Sequence, residues 1–227
     1  MSLGCGLWCP AYPTPEAVEL SLSTPSVVDI AEHELVAFLH GPMSPWRHIA
    51  IPPLTEWPIK VRLQVTPSQL GLPPDVFGDI DALVLSKGDT GTARAVQYKR
   101  VKIAASTFFT GEPNKLRDLR KAVHQANALA EVGLAYVWLE VIVVTDAREH
   151  AGGRYLVSTP QGLLDRVYEA LPIGALHAAA GVVVTEIVQS VDRSIQETGG
   201  GGGHMVRPAQ LQDQPPSLTA AIAALFK

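Results

Sequence analysis

A run of nearly uninterrupted apolar residues, AYVWLEVIVVTD at 135–146, constrains the fold more than any other segment of this sequence. The run is rich in β-branched and aromatic residues, which favour a strand. A strand that is apolar on both sides must be covered on both of its faces, as the central strands of α/β proteins are. The segment therefore predicts a central strand in a sheet that carries helices on both faces.

The residues before this strand predict a helix, three further strands and a second helix. Hydrophobic periodicity distinguishes them, with a period near 3.6 in the helices and alternation in the first strand. The expected bounds are 26–40 for the first helix, 57–65, 79–85 and 94–103 for the strands, and 114–132 for the second helix. The strands at 79–85 and 94–103 are expected to pair as a hairpin. The order α-β-β-β-α-β suggests a mixed central sheet flanked by helices.

The remaining segments divide the chain into a core and its appendages. Residues 1–25 are rich in proline and glycine and are expected to form an N-terminal arm, and the core spans 26–146. Residues 147–198 are expected to extend the same domain as an α/β extension, with a helix at 160–171 and a strand at 182–191. Five consecutive glycines at 199–203 predict a flexible loop, which begins a tail (199–227) with a short helix at 218–226.

Composition excludes several classes of protein. Hydrophobic residues make up 47% of the chain and charged residues 18%, so a sizeable core is expected and global disorder is not. The two cysteines are too few for a disulfide framework or a four-cysteine zinc site. No long apolar segment predicts a membrane span, and the first residues lack the pattern of a signal peptide. A cytoplasmic protein without a membrane partner is the resulting expectation.

The net charge of −4 argues against a chain that is basic overall, so any nucleic-acid site must come from local clustering. Eight of the 18 Lys and Arg residues do cluster, between Arg94 and Lys121. Such a cluster is either a solvated helix face or a phosphate-binding face. The second interpretation gains weight if a catalytic centre lies beside it.

Four polar residues of the predicted hairpin carry a chemical signal. Asp79 and Asp81 are two residues apart, as are Gln97 and Lys99, so each pair shares one face of its strand. Neighbouring strands then bring together two carboxylates, an amide and an ammonium. Oxygen ligands suit Mg²⁺, which activates water, and a lysine stabilises charge at phosphorus. The alternatives are an exposed face with ordinary alternation, or a structural ion pair between Asp81 and Lys99.

The segment GDIDALVLSKGDTGTARAVQYKRVK resembles the PD-(D/E)XK nuclease superfamily, whose members carry an Asp on the second core strand and Glu/Asp-X-Lys on the third. Asp81 and Gln97-Tyr98-Lys99 match this pattern, and Gln in the Glu position is similar to the Mrr-like branch. Many members also supply a Glu from the first helix, which Glu32 resembles, with Glu34 as the reserve candidate. The resemblance covers 26–146 and implies a restriction endonuclease-like core with the order α-β-β-β-α-β.

The resemblance also implies an activity and its ligands. Mg²⁺ or Mn²⁺ would be held by Asp81, Glu32 and Gln97, with Asp79 as a further candidate, and Lys99 would act on the water and at phosphorus. The substrate would be DNA, with RNA as an open alternative, and the role would be in defence or DNA processing. A homodimer and an activating partner protein are both compatible with it. The expected nucleic-acid contacts are Arg100, Lys102, Lys115, Lys121 and Gln125.

Gln97 also supports an alternative function. An amide oxygen is a weaker metal ligand than a carboxylate because it carries no net charge. A module of the same fold that has lost catalysis, and that binds nucleic acid or a partner protein, would tolerate this residue equally well.

Overall fold

The computed structural model describes residues 26–41, 44, 47, 56–76, 78–104, 106–107, 113, 116–148, 156, 158–189 and 200–227. The expected N-terminal arm at 1–25 and the candidate Lys115 lie outside these residues. Among the helices so described, none is long and apolar enough to cross a membrane.

The described residues form helices and strands in the order that the sequence predicts, except for an additional strand at Gly200–Arg207. The helices are α1 (Glu32–His40), α2 (Asp118–Glu131), α3 (Gln161–Ala170) and α4 (Pro216–Leu225). The strands are β1 (Ile59–Val65), β2 (Ile80–Ser86), β3 (Arg94–Ile103), β4 (Tyr136–Asp146), β5 (Gly181–Gln189) and β6 (Gly200–Arg207). Short 3₁₀ turns at Pro67–Leu70 and Ile173–Ala175 complete the set. Through Asp146 the order is α-β-β-β-α-β.

All six strands lie in one mixed sheet in the order β1-β2-β3-β4-β5-β6. Strands β3, β4 and β5 are parallel, and the neighbours at both sides are antiparallel. Helices α2, α3 and α4 cover one face, whereas α1 packs on the other. Every residue of β4 after the first is buried. The predictions of an α/β fold, of a mixed sheet flanked by helices and of a central strand at 135–146 are therefore confirmed.

The first helix begins later than predicted, at Glu32 instead of residue 26. Its start is determined by Glu34, whose Oε2 accepts a hydrogen bond of 2.7 Å from the main-chain nitrogen of Ala31. This contact satisfies a donor at the helix entrance, where the helix itself supplies no partner. Glu34 is thus a capping residue at this helix.

The prediction of a flexible loop at 199–203 is wrong for the described glycines 200–203, which form the first half of β6. Their backbones pair with β5, so that Gly203 lies opposite Thr185 and Gly200 opposite Val188. Glycine disfavours strands because it has no side chain to pack, but it keeps both backbone hydrogen-bonding groups. The extended partner strand β5 supplies the pairing that the local sequence does not indicate.

One irregularity of the sheet creates space for a site. The β2–β3 ladder covers only Ala82–Val84 opposite Arg94–Val96, although β3 continues to Ile103. The other edge of β3 pairs with β4 along its whole length, from Arg94 to Ile103. Beyond Val96, β2 and β3 therefore diverge and leave one edge of β3 open.

Candidate active site

A pocket of about 260 Å³ lies where β2 and β3 diverge. The polar side chains of α1, β2, β3 and α2 meet there. The lining residues are Glu32, Asp79, Asp81, Gln97, Tyr98, Lys99, Asp118, Lys121 and Gln125. All five residues that the sequence assigned to catalysis or metal binding are among them.

Asp81 lies at the start of β2 and bonds to the open edge of β3. Its Oδ2 accepts hydrogen bonds from the main-chain nitrogen of Tyr98 at 2.8 Å and from Nε2 of Gln97 at 2.6 Å. Its Oδ1 lies 3.4 Å from Nε2 of Gln64 on β1. The carboxylate thus satisfies a Tyr98 N–H for which β2 provides no carbonyl.

The Asp81 carboxyl has an unusual proton affinity. Burial raises its pKa to about 6, and the hydrogen bond from the Tyr98 N–H opposes this effect. The nearby Glu32 raises the pKa further, whereas Gln64 and Lys99 lower it. A partly buried carboxylate beside another carboxylate is a group whose ionised form a bound cation would stabilise.

Glu32, the first residue of α1, contacts the same edge of β3. Its Oε1 lies 3.1 Å from Nζ of Lys99, and its Oε2 accepts a hydrogen bond of 2.8 Å from the main-chain nitrogen of Arg100. The side chains of Lys99 and Glu32 are 21% and 31% exposed, so the ion pair is only partly solvated. Since α1 packs on the opposite face from α2, Glu32 reaches the pocket only because β2 leaves this edge open.

Gln97 is 6% exposed, and its amide nitrogen is directed at Asp81. Rotation of the amide about its terminal bond would exchange the nitrogen and oxygen positions. Gln97 therefore has the chemistry either to donate to Asp81 or to offer an oxygen to a cation.

Helix α2 forms the opposite wall of the pocket. Asp118, Lys121 and Gln125 are three and four residues apart and therefore share one helix face. A Cβ atom at Gly78 would lie 2.9 Å from Nε2 of Gln125, so the glycine allows the chain before β2 to approach the helix closely. Lys121 is exposed at this wall and is free to meet a ligand from solvent.

Two expected nucleic-acid contacts are not brought to the pocket. Strand alternation places Arg100 and Lys102 on the α1 side of the sheet, opposite Gln97 and Lys99. Nη1 of Arg100 donates to the carbonyl oxygen of Ile30, and Nζ of Lys102 lies 3.9 Å from Oδ1 of Asp29. Their placement supports a role in holding the segment before α1.

Two residues of the site escaped the sequence reasoning. Asp118 precedes Lys121 by one helical turn, a spacing from which its place on the pocket face could have been found. Gln64 offers no such signal, because its place beside Asp81 follows from the β1–β2 register, and its backbone is left-handed with φ of 53°. A non-glycine residue rarely adopts this conformation, and local alternation does not predict it.

The charge of the pocket is suited to a divalent cation. Four carboxyl groups (Glu32, Asp79, Asp81 and Asp118) face two ammonium groups (Lys99 and Lys121), an excess of two negative charges when all are ionised. Within the described part of the chain, no three His, Cys, Asp or Glu side chains form a ready metal cluster. Mg²⁺ characteristically binds through one or two carboxylates and keeps several waters, so Asp81, Glu32 and the Gln97 oxygen fit such an ion.

No protein-family model matches the chain, and no curated protein matches it. The chemistry of the pocket is therefore inferred from its own residues and from the short motif that they form.

Proposed function

We propose that this protein is a metal-dependent nuclease that hydrolyses phosphodiester bonds in DNA, with a role in defence or DNA processing. The main support is the convergence of Asp81, Glu32, Gln97 and Lys99 in one pocket. These residues come from three separate elements of the chain, and they are the ones that the PD-(D/E)XK resemblance assigns to the site. Burial of the Asp81 carboxylate is unfavourable, and a bound cation would offset this cost.

Asp81, Glu32 and the Gln97 oxygen would hold Mg²⁺ or Mn²⁺. When bound, the cation would lower the pKa of a bound water and offset the charge of the scissile phosphate. The Glu32 carboxylate is already held by the Arg100 N–H and by Lys99, and Asp81 by the Tyr98 N–H. Both ligands are therefore oriented by main-chain donors before any ion arrives.

Lys99 would act at the phosphate. Its ammonium lies in the pocket beside Glu32, and from there it would orient the attacking water and stabilise negative charge that develops at phosphorus. Lys121 and Gln125, on the α2 wall, would hold the neighbouring backbone phosphates. A homodimer would present two such pockets, one for each strand of a duplex.

One observation favours a second candidate, a binding module without catalysis. Gln97 donates to Asp81 and Lys99 pairs with Glu32, so these four groups satisfy one another without a cation. Such a module would bind nucleic acid or a partner protein through the same face and would require no metal.

Cleavage of supercoiled plasmid, single-stranded DNA and single-stranded RNA with Mg²⁺ or Mn²⁺ tests the two candidates. The wild type is compared with Asp81→Ala and Lys99→Ala, and with Asp75→Ala and Lys60→Ala as controls at exposed positions. We expect the two site variants to lose about 100-fold or more in rate and the controls to stay near the wild type.

The possible outcomes separate the candidates. Cleavage that survives both Asp81→Ala and Lys99→Ala would show that this pocket is not the active site. No cleavage by any protein, together with no thermal stabilisation by Mn²⁺, would favour the binding module. Mn²⁺ stabilisation without cleavage would indicate a competent site that requires a partner protein.

A further inference from the structure

A row of buried polar side chains crosses the face of the sheet opposite the pocket, directly behind the candidate active site. It joins His40 of α1, Tyr98 of β3, Glu140 of β4 and Thr185 of β5, which are 8%, 1%, 2% and 0% exposed. The surrounding core is apolar. The proposed chemistry uses none of these side chains, and burying polar groups is costly unless they bond to one another.

The four side chains do bond to one another in sequence. Nε2 of His40 lies 2.7 Å from Oη of Tyr98, and the Tyr98 hydroxyl bonds to the Glu140 carboxyl. Oγ1 of Thr185 donates to Oε1 of Glu140 at 2.7 Å. The row thereby links one helix and three adjacent strands through a continuous network of side-chain hydrogen bonds.

Tyr98 connects this row to the pocket. It lies between Gln97 and Lys99, so its side chain points away from the pocket while its main-chain N–H donates to Asp81. No β2 residue pairs with β3 at this point, because the ladder ends at Val96. The side-chain bonds of Tyr98 therefore help to set where its N–H holds the Asp81 carboxylate.

Helix α1 connects the row to the pocket a second time. His40 is the last residue of α1, and Glu32 is the first. The bond between His40 and Tyr98 fixes the far end of this helix against β3. This bond therefore also helps to hold the Glu32 carboxylate in contact with Nζ of Lys99 and with the main-chain nitrogen of Arg100.

We propose that His40, Tyr98 and Glu140 are positioning residues. They hold the carboxylates of Asp81 and Glu32 in place from the opposite face of the sheet, and this purpose rests on the proposed function. Their side chains lie on the face of the sheet opposite the pocket, away from the proposed metal and substrate. Their effect passes through the N–H groups of Tyr98 and Arg100, which donate to Asp81 and Glu32 along the open edge of β3.

Hydrogen exchange of backbone amides in the metal-free, 227-residue chain tests this role by NMR. Tyr98→Phe removes only the hydroxyl, and Glu140→Leu removes the central link. Tyr136→Phe is the matched control, because Tyr136 lies at the start of β4 against Arg94 and outside the row. The Ile142 amide of β4, which is paired with β3 and β5, is the internal reference.

We expect exchange at positions 98 and 100 to rise by about 3- to 10-fold relative to Ile142 in Tyr98→Phe and Glu140→Leu. Glu140→Gln is expected to retain protection. Burial raises the pKa of Glu140 to about 8, so its carboxyl is largely neutral at pH 7 and an amide resembles it. In the cleavage assay, Tyr98→Phe is expected to lower kcat by about 10-fold or more and to leave KM nearly unchanged.

A uniform rise in exchange across β3 and β4 would show that the row supports only global stability and would overturn the positioning role. Unchanged exchange at positions 98 and 100 would overturn it equally. If Tyr98→Phe does not fold, Thr185→Val removes only the last link and is judged by the same criteria. Because the exchange pattern needs no activity, it decides this role even if the protein cleaves no DNA.

Discussion

Replacement of Asp81 by asparagine is expected to stabilise the protein while it abolishes cleavage. Burial raises the pKa of the Asp81 carboxyl from 3.8 to about 6. A pKa difference of about 2 corresponds to at most about 3 kcal/mol in the free energy of unfolding, because a pKa difference of 1 corresponds to about 1.4 kcal/mol. Since the site is partly solvated, we expect Asp81→Asn to raise the free energy of unfolding by about 1–3 kcal/mol near neutral pH. Asparagine keeps an oxygen that can accept from Tyr98 and Gln97 but has no charge to desolvate.

The gain should depend on pH in a defined direction. A carboxyl whose pKa is raised in the folded state binds its proton more tightly there, so its contribution to wild-type stability is full below pH 3.8 and is lost as the pH rises through about 6. The advantage of Asp81→Asn is therefore largest above pH 6 and vanishes near pH 4. Active-site groups often have this opposition between stability and activity.

Urea unfolding of both proteins at about pH 7.5 and pH 4 measures the difference in the free energy of unfolding. In thermal unfolding, each kcal/mol of added stability should raise Tm by about 2–4 °C. Asp79→Asn, at an exposed position of the same pocket, is the control and should change stability by less than about 0.5 kcal/mol. The reasoning is refuted if Asp81→Asn is less stable than the wild type at about pH 7.5, or if its advantage is the same at both pH values.

Two further predictions concern the α2 wall of the pocket and the packing of the sheet. Lys121→Ala should weaken DNA binding and reduce its salt dependence by about one unit of slope. Lys102→Ala, whose lysine lies near Asp29 and Asp146 and away from the pocket, should leave the slope unchanged in a titration at several salt concentrations. An equal change in both variants would contradict their placement. Gly181→Ala should destabilise by about 1–3 kcal/mol, because its Cβ would lie 2.5 Å from the Ala209 nitrogen. Gly203→Ala meets no atom within 4 Å, and urea unfolding that shows equal losses for both would disprove the packing explanation.

Hydrophobic periodicity was sufficient to predict the order of the elements from α1 to β5. The apolar run of β4 and the alternation of β1 depend on which faces are buried, and burial is encoded residue by residue. The same rule placed Gln97 and Lys99 on one strand face. Applied further, it would also have moved Arg100 and Lys102 to the other face, since they differ from Gln97 and Lys99 by an odd number of residues.

Hydrophobic periodicity could not predict the glycine strand β6. It also could not predict the contact of Gln64 with Asp81. Glycines 200–203 carry no side-chain pattern, and their strand exists because β5 offers a free edge. Gln64 meets Asp81 through the register of β1 and β2, with a left-handed backbone that a non-glycine residue rarely adopts.

The sequence by itself determined the α/β class, the central strand and the pairing of polar residues on β3, because these follow from local spacing. Only the tertiary structure decided that β2 and β3 part after Val96, and that Glu32 therefore crosses from the other face to meet Lys99. It also decided which side chains lie behind the pocket in contact with Tyr98. The physical reason is that a ladder ends where backbones diverge, and divergence is a property of packed elements rather than of any single segment.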